Sequence, residues 1–172
     1  MIAKGISLLS EDRKNEGLAL NRTIAENITF STLKKIGKFG LVGNNTIDSI
    51  ANQWREQLSI KLGKVTDRAD SLSGGNQQKV ALARILEHDS DVLLLDEPTR
   101  GVDVGSKVEI YRWIGQLAAR GKGIVFVSSY LPELLGVCDT LAVMHRGRLS
   151  AKKTVADWTE HEIMRLAAAG GA

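Results

Sequence analysis

Two periodicities divide the chain near its middle. Between residues 47 and 58, apolar residues fall at Ile47, Ile50, Ala51, Trp54 and Leu58. That is the spacing of one helical face, and it predicts a helix over 47–62 ending near Gly63. A second helix is predicted to open after Gly75, run through Val80, Ala81, Ala83, Ile85 and Leu86, and stop near His88-Asp89. The pattern then changes. Residues 92–95 and 124–127 are short continuous aliphatic runs, as in parallel strands buried on both faces. Between them Ile110, Ile114 and Leu117 line one face of a helix over 104–120, and Gly121 suits the position just past its end. Strand, helix and strand at this spacing make a right-handed βαβ unit.

Shorter signals fill the remainder. Residues 5–10 read as a strand running into a polar loop over 11–17. Thr23-x-x-Glu26 is a capping box that starts a short helix. Residues 34–46 are loop-like, with Leu33 and Ile36 open to reading as an extension of that helix. Pro132-Glu133 opens another helix, 140–144 forms a further strand, and Arg146-Gly147 turns the chain into 148–150. Thr159-x-x-Glu162 caps a C-terminal helix. The expected fold class is α/β. A helical part (about 20–72) precedes a core with a parallel sheet (about 73–150), followed by the C-terminal helix (about 151–172).

Composition narrows the function classes. The 172 residues, 43% hydrophobic and 25% charged, suit one domain with its own core. The formal charge of +3 is spread over pairs such as Arg13-Lys14, Lys34-Lys35 and Lys152-Lys153 with acids between them, a solvated surface rather than a nucleic-acid stripe. A single Cys138 excludes an internal disulfide. No apolar run is long enough to span a bilayer, and the first residues lack the apolar stretch of a signal peptide. A soluble chain is expected, with any membrane role supplied by a partner. His88, His145 and His161 show no metal-ligand spacing, and Trp54, Trp113 and Trp158 are too dispersed to stack bases. Structural or solvent-exposed roles are expected for the histidines, packing for the tryptophans, and a small buried thiol for Cys138.

Chemistry concentrates in two strings. In Asp91-Val-Leu-Leu-Leu-Asp-Glu-Pro-Thr99 the aliphatic run delivers Asp96 and Glu97 to the tip of a strand, where open α/β sheets bind ligands. Phosphoryl transfer needs a metal to offset phosphate charge and a group to orient or deprotonate water. Asp96 fits the first need, as an oxygen ligand for Mg²⁺. Glu97 fits the second, as a general base, or it caps the following segment. In Leu72-Ser-Gly-Gly-Asn76, Gly74 and Gly75 admit a phosphate close to the backbone, and helix-start amides with the Ser73 hydroxyl can donate to it. Ser73 also serves as a plain N-cap. Nowhere does the chain read Gly-x-x-x-x-Gly-Lys-Ser/Thr, the loop that holds the β- and γ-phosphates.

These strings carry a family resemblance. Leu72-Ser-Gly-Gly-Asn76 resembles the signature of ATP-binding cassette (ABC) ATPases, residues 92–97 resemble the Walker B strand, and Gly101-Val-Asp103 falls at the D-loop. The strings over 10–14, 76–79, 97–105 and 144–149 are similar to the second cassette of tandem-cassette proteins in bacterial sugar importers of the ribose, xylose and galactose group. The resemblance covers essentially the whole chain. It implies an incomplete P-loop NTPase fold: a fragment or late-start reading frame without the Walker A piece, with an unpaired sheet edge and an uncovered apolar face. It further implies that Asp96 sits near Mg²⁺, that Glu97 polarises the hydrolytic water, and that Asp103 couples two sites. Ser73, Gly74, Gly75 and Asn76 would bind ATP held by an opposite cassette. Helix 47–62 would belong to the helical subdomain that contacts membrane-spanning permease subunits, with a sugar-binding protein as an indirect partner and no nucleic acid. The place implied is the cytoplasmic side of the cell membrane.

The chain departs from the family pattern at two points: Ser129 stands where the switch histidine is expected, and Ser10-Glu11 where the Q-loop glutamine is expected. The expected function is ATP-driven carbohydrate import. The alternatives are an inactive truncated cassette or interaction module that does not bind ATP alone, and a soluble ABC ATPase acting on nucleic acid or ribosomes. The last would normally bring coiled-coil or strongly basic insertions, which this sequence does not show.

Overall fold

The aliphatic runs become a sheet. The computed structural model describes residues 5–12, 16–37 and 42–169, arranged as two units that divide between Val127 and Ser128. In chain order the first unit contains β1 (Ile6–Leu9), α1 (Ile24–Thr29), α2 (Leu33–Ile36), α3 (Asn44–Gln57), α4 (Gly74–His88), β2 (Val92–Asp96), α5 (Val104–Ala119) and β3 (Gly123–Val127). The strands lie parallel in the order β1-β2-β3, with Leu8 opposite Leu94 and Leu94 opposite Val125. The parallel pairing of β2 and β3 around α5 is the predicted βαβ unit.

Pairing fixes which residues share a face. Ser7, Leu9, Leu93 and Leu95 are buried, together with Val80, Ala81 and Ile85 of α4 and Ile110, Ile114 and Leu117 of α5. The other face is open: Leu8 is 41% exposed, and Val125 and Val127 are each 51% exposed. The expectation of strands buried on both faces is therefore corrected for β3, while the expectation of an uncovered apolar face holds.

In the helical part, Thr23 and Glu26 form the predicted reciprocal cap on α1. α2 is a separate short helix. α3 stops at Gln57, five residues short of the expected end. Ser59 takes a left-handed conformation (φ 48°) and the Ile60 amide turns back to the Arg55 carbonyl, so the helical ladder cannot continue. Trp54 packs against Trp113 with ring centroids 5.7 Å apart and donates to Glu87. The pair at Arg13-Lys14 lies outside the described residues.

The second unit contains α6 (Leu131–Val137), β4 (Thr140–Leu141), β5 (Met144–His145), β6 (Arg148–Leu149), β7 (Lys153–Thr154) and α7 (Glu160–Ala169). The strand expected over 140–144 is broken in two: β4 pairs antiparallel with β7, and β5 with β6. The cause is local. The Val143 amide donates to the Ser150 hydroxyl at 2.9 Å rather than to a backbone carbonyl, which interrupts the ladder. Leu141, Val143, Trp158 and Ile163 form this unit's core, and the Trp158 indole donates to the Leu141 carbonyl. Arg146 and Gly147, both at positive φ, make the predicted tight turn, and Thr159 with Glu162 caps α7. Cys138 ends α6, half-buried, and burial pushes its thiol pKa up. Among the described residues no helix is long and apolar enough to cross a membrane.

Candidate functional site

At the C-terminal tip of β2, Asp96 is the last strand residue and lies opposite Val127 in register. The next residue leaves the strand abruptly. Glu97 has φ 46°, and its amide donates to the Val127 carbonyl at 2.9 Å. A non-glycine residue in the left-handed region costs roughly 1–2 kcal/mol, so the surrounding structure must hold it there. The reversal separates the two carboxylates' backbone directions at one strand tip. Both side chains are half-buried.

The loop after Glu97 is tied to the N-terminal turns of α4. Gln78 donates from Nε2 to the Pro98 carbonyl at 3.0 Å, and both residues are buried. A Cβ placed on Gly75 would sit 3.7 Å from Val102 Cα, ordinary contact distance, and Gly75 does not have a positive φ. Packing within the unit therefore does not require a glycine there. A small residue without such a need fits a position that an outside group approaches closely.

Ser73 is the N-terminal boundary residue of α4, but its hydroxyl makes no capping bond. It instead accepts from Asn76 Nδ2 at 2.9 Å and is exposed, and Asn76 Oδ1 accepts from the Lys61 amide. The plain N-cap reading of Ser73 is thereby replaced by a small polar cluster at an exposed helix start. The amides of that start carry the partial positive charge of a 15-residue helix.

Asp103 caps α5 directly, accepting from the Ser106 amide at 3.0 Å and its hydroxyl at 2.7 Å. These bonds, the hydroxyl's first, pull its carboxyl pKa below the usual value. The structure thus brings Asp96, Glu97, Gly75 and Asp103 onto or against one short segment, 96–103. Ser129 belongs to the second unit, exposed, two residues beyond β3 in sequence.

Three features had no separate signal in the sequence. Arg100 forms an ion pair with Glu11, joining the loops after β2 and β1 through the strings over 97–105 and 10–14. Lys79, 6% exposed, is paired with Glu109 of α5 at 2.7 Å. A cleft is lined by Phe30, Ser31, Arg84, Ile85 and His88 together with Ser7 and Leu8. Phe30 is 72% exposed, and burial holds the Arg84 guanidinium below its ordinary pKa. The only places where sequence hinted at these were the charged residues inside the quoted strings.

Comparison with known proteins places the arrangement. Residues 2–100, more than half of the chain, match the family model described as ABC transporter. The chain is 47% identical over 165 residues to the L-arabinose transport ATP-binding protein AraG of Geobacillus stearothermophilus, covering 96% of this chain and 32% of that protein. It is 48% identical over 166 residues to the ribose import ATP-binding protein RbsA 3 of Rubrobacter xylanophilus, covering 96% of this chain and 33% of that one. The chain therefore spans about a third of the length of these curated relatives. In fold it is similar to the ATP-binding cassette MJ0796, solved as a dimer in a post-hydrolysis state with ADP and Pi: TM-score 0.74 at 20% identity, over 87% of this chain and 62% of that one. On the family match and the α/β fold of the P-loop NTPase type, the chain belongs to the ABC transporter family.

Proposed function

We propose that this chain is part of an ATP-binding subunit that powers carbohydrate import, acting as one cassette against a second and against membrane permease subunits. The observation that carries the reading is the segment 96–103: it begins with two carboxylates at a parallel strand tip, holds Glu97 left-handed, and packs against the Ser73–Gly75 turn. The arabinose and ribose names of the relatives support the substrate class.

In this reading Glu97 orients and deprotonates the attacking water. Asp96 offers a fixed oxygen to Mg²⁺. Such an ion keeps water and phosphate oxygens as most of its ligands. The ion's chemistry would be charge neutralisation on the phosphates. Ser73, Gly74, Gly75 and Asn76 face outward to ATP held by the opposite cassette, and Asp103, at the start of α5, communicates between the sites. A serine at 129 has no group that titrates near neutrality, so it weakens or makes unequal the switch function at this half. The 172 residues contain no Gly-x-x-x-x-Gly-Lys-Ser/Thr loop, so on their own they hold no ATP at the Asp96–Glu97 half-site. The active assembly sits at the inner face of the membrane through its permease partners.

The test is Glu97→Gln in the full-length protein. Turnover should fall by about 10²–10⁴-fold, the usual contribution of a positioned base, while Mg-ATP binding persists. Unchanged turnover at every site would remove Glu97 from the mechanism. Micromolar Mg-ATP binding by the 172-residue chain would refute the claim that this chain alone is incompetent.

A further inference from the structure

We propose that Lys79 is a positioning residue that locks the signature turn to the helix opened by Asp103, so that both reach the opposite cassette's nucleotide as one rigid piece. The proposal rests on the reading of Ser73–Gly75 as a nucleotide-facing surface.

Lys79 lies one helical turn beyond Gly75 on α4. Its side chain is only 7% exposed, yet it carries a charge, and a buried charge requires partners. It has two, on different elements. Nζ is 2.7 Å from Glu109 Oε2, on α5 six residues beyond Asp103, and donates to the Ser59 carbonyl at 3.3 Å. Ser59 is the left-handed residue that ends the α3 turn, so its carbonyl direction is set by backbone geometry. One ammonium thus fixes three separate pieces of chain: the post-α3 loop, the start of α4 and the start of α5.

Two further ties act in the same sense. Asn76 Oδ1 accepts from the Lys61 amide at 2.8 Å, and Gln78 Nε2 donates to the Pro98 carbonyl at 3.0 Å. The residues Asn76, Gln78 and Lys79 therefore turn different sides of the same helical turns toward different neighbours. A buried ion pair is weak evidence for net stability, because desolvation offsets much of its attraction. Fixing relative position is the use that its geometry supports here, since one partner ties α4 to the post-α3 loop and the other ties it to α5.

The experiment uses the full-length protein. Lys79→Met keeps the stem and removes the charge. The concentration of Mg-ATP at half-maximal turnover should rise about tenfold, within the range of coupling free energies between sites, while kcat stays within about twofold. Lys79→Arg, which keeps a charged donor toward both Glu109 and the Ser59 carbonyl, should return half-saturation to within about threefold of the parent. Glu109→Gln is the milder variant if Lys79→Met does not fold, because Ser59 still pairs the ammonium. Hydrogen exchange read alongside should show residues 73–76 and 103–107 losing protection together. Parental half-saturation in Lys79→Met, or exchange that rises at only one of those two segments, would overturn the proposal. A parent without ATP turnover would sink the functional reading instead, leaving the exchange result to decide whether Lys79 couples the two turns.

Discussion

Among the non-glycine residues with left-handed backbone, Glu97 and Arg146 adopt it for different reasons. Glu97 is held at φ 46° by the hydrogen bond its amide donates to the Val127 carbonyl, at a strand tip bearing the proposed chemistry. Arg146 has φ 45° and precedes Gly147 at φ 77° in the two-residue loop joining β5 to β6. A hairpin turn with positive φ at both central positions favours Asn-Gly, because asparagine tolerates the left-handed region better than arginine does. Arg146→Asn should therefore stabilise the second unit by about 0.5–1 kcal/mol, seen as a rise in its unfolding midpoint in urea without loss of any ATP-dependent activity. An unchanged or lower midpoint would show that the turn is not strained by arginine. At Glu97 the same relief is not available without removing the proposed base, so strain and function coincide there.

Elements differ in how far they could be read in advance. β2 was legible because four aliphatic residues ending in two acids allow few other conformations, and α5 because Ile110, Ile114 and Leu117 share one face and Gly121 suits the position past its end. The end of α3 was not legible: it depends on Ser59 turning left-handed and on the tie from Lys79, which lies 20 residues away in sequence. The break between β4 and β5 depends on a serine hydroxyl seven residues downstream. The carboxylates of the candidate site were readable from local pattern. Arg84, Glu109 and Glu11 were not, because their roles arise from elements that meet only in the fold. The end of α4 illustrates this. His88 is 7% exposed, its Nδ1 lies 2.8 Å from the Ser90 hydroxyl, and that hydroxyl lies 2.6 Å from Ser7 of β1. Burial first, then the nearby Lys35, pulls the imidazole pKa below its ordinary 6.5, with Asp89 opposing. The unfolded chain therefore binds the proton more readily than the folded one. The contribution to stability is fully present above about pH 6.5 and is lost as the pH falls through that value toward the lowered folded pKa. Urea midpoints at pH 7.5 and 5.5 should differ in the parent and differ less in His88→Gln; equal differences in the two proteins would exclude His88 as the cause.

For the whole molecule, the proposed import role needs a surface on which a membrane-spanning partner docks; no described helix is itself long and apolar enough to cross a bilayer. The cleft between α1, the end of α4 and β1 offers one on chemical grounds. Phe30, just past α1, leaves 72% of its surface exposed, and a large aromatic in that state suits a contact anchor. Arg84 is half-buried, with no described carboxylate paired to its guanidinium, and burial lowers its pKa. A half-buried, uncompensated guanidinium favours an occupant that brings a carboxylate. Under the proposed function, the segment that fits this cleft is a permease segment presenting an apolar residue to Phe30 and an acidic one to Arg84. Co-purification of the full-length protein with its permease from detergent should weaken by at least about tenfold, or 1.4 kcal/mol, in Arg84→Glu and in Phe30→Ala. Arg84→Lys should lose less, because it keeps the charge without the planar fork. The ATP affinity of the free protein should not change, because neither residue lies on segment 96–103 or the Ser73–Gly75 turn. Undiminished co-purification in both variants would move the docking surface elsewhere, most directly to the exposed side of α3, the helix expected from sequence to meet the permease.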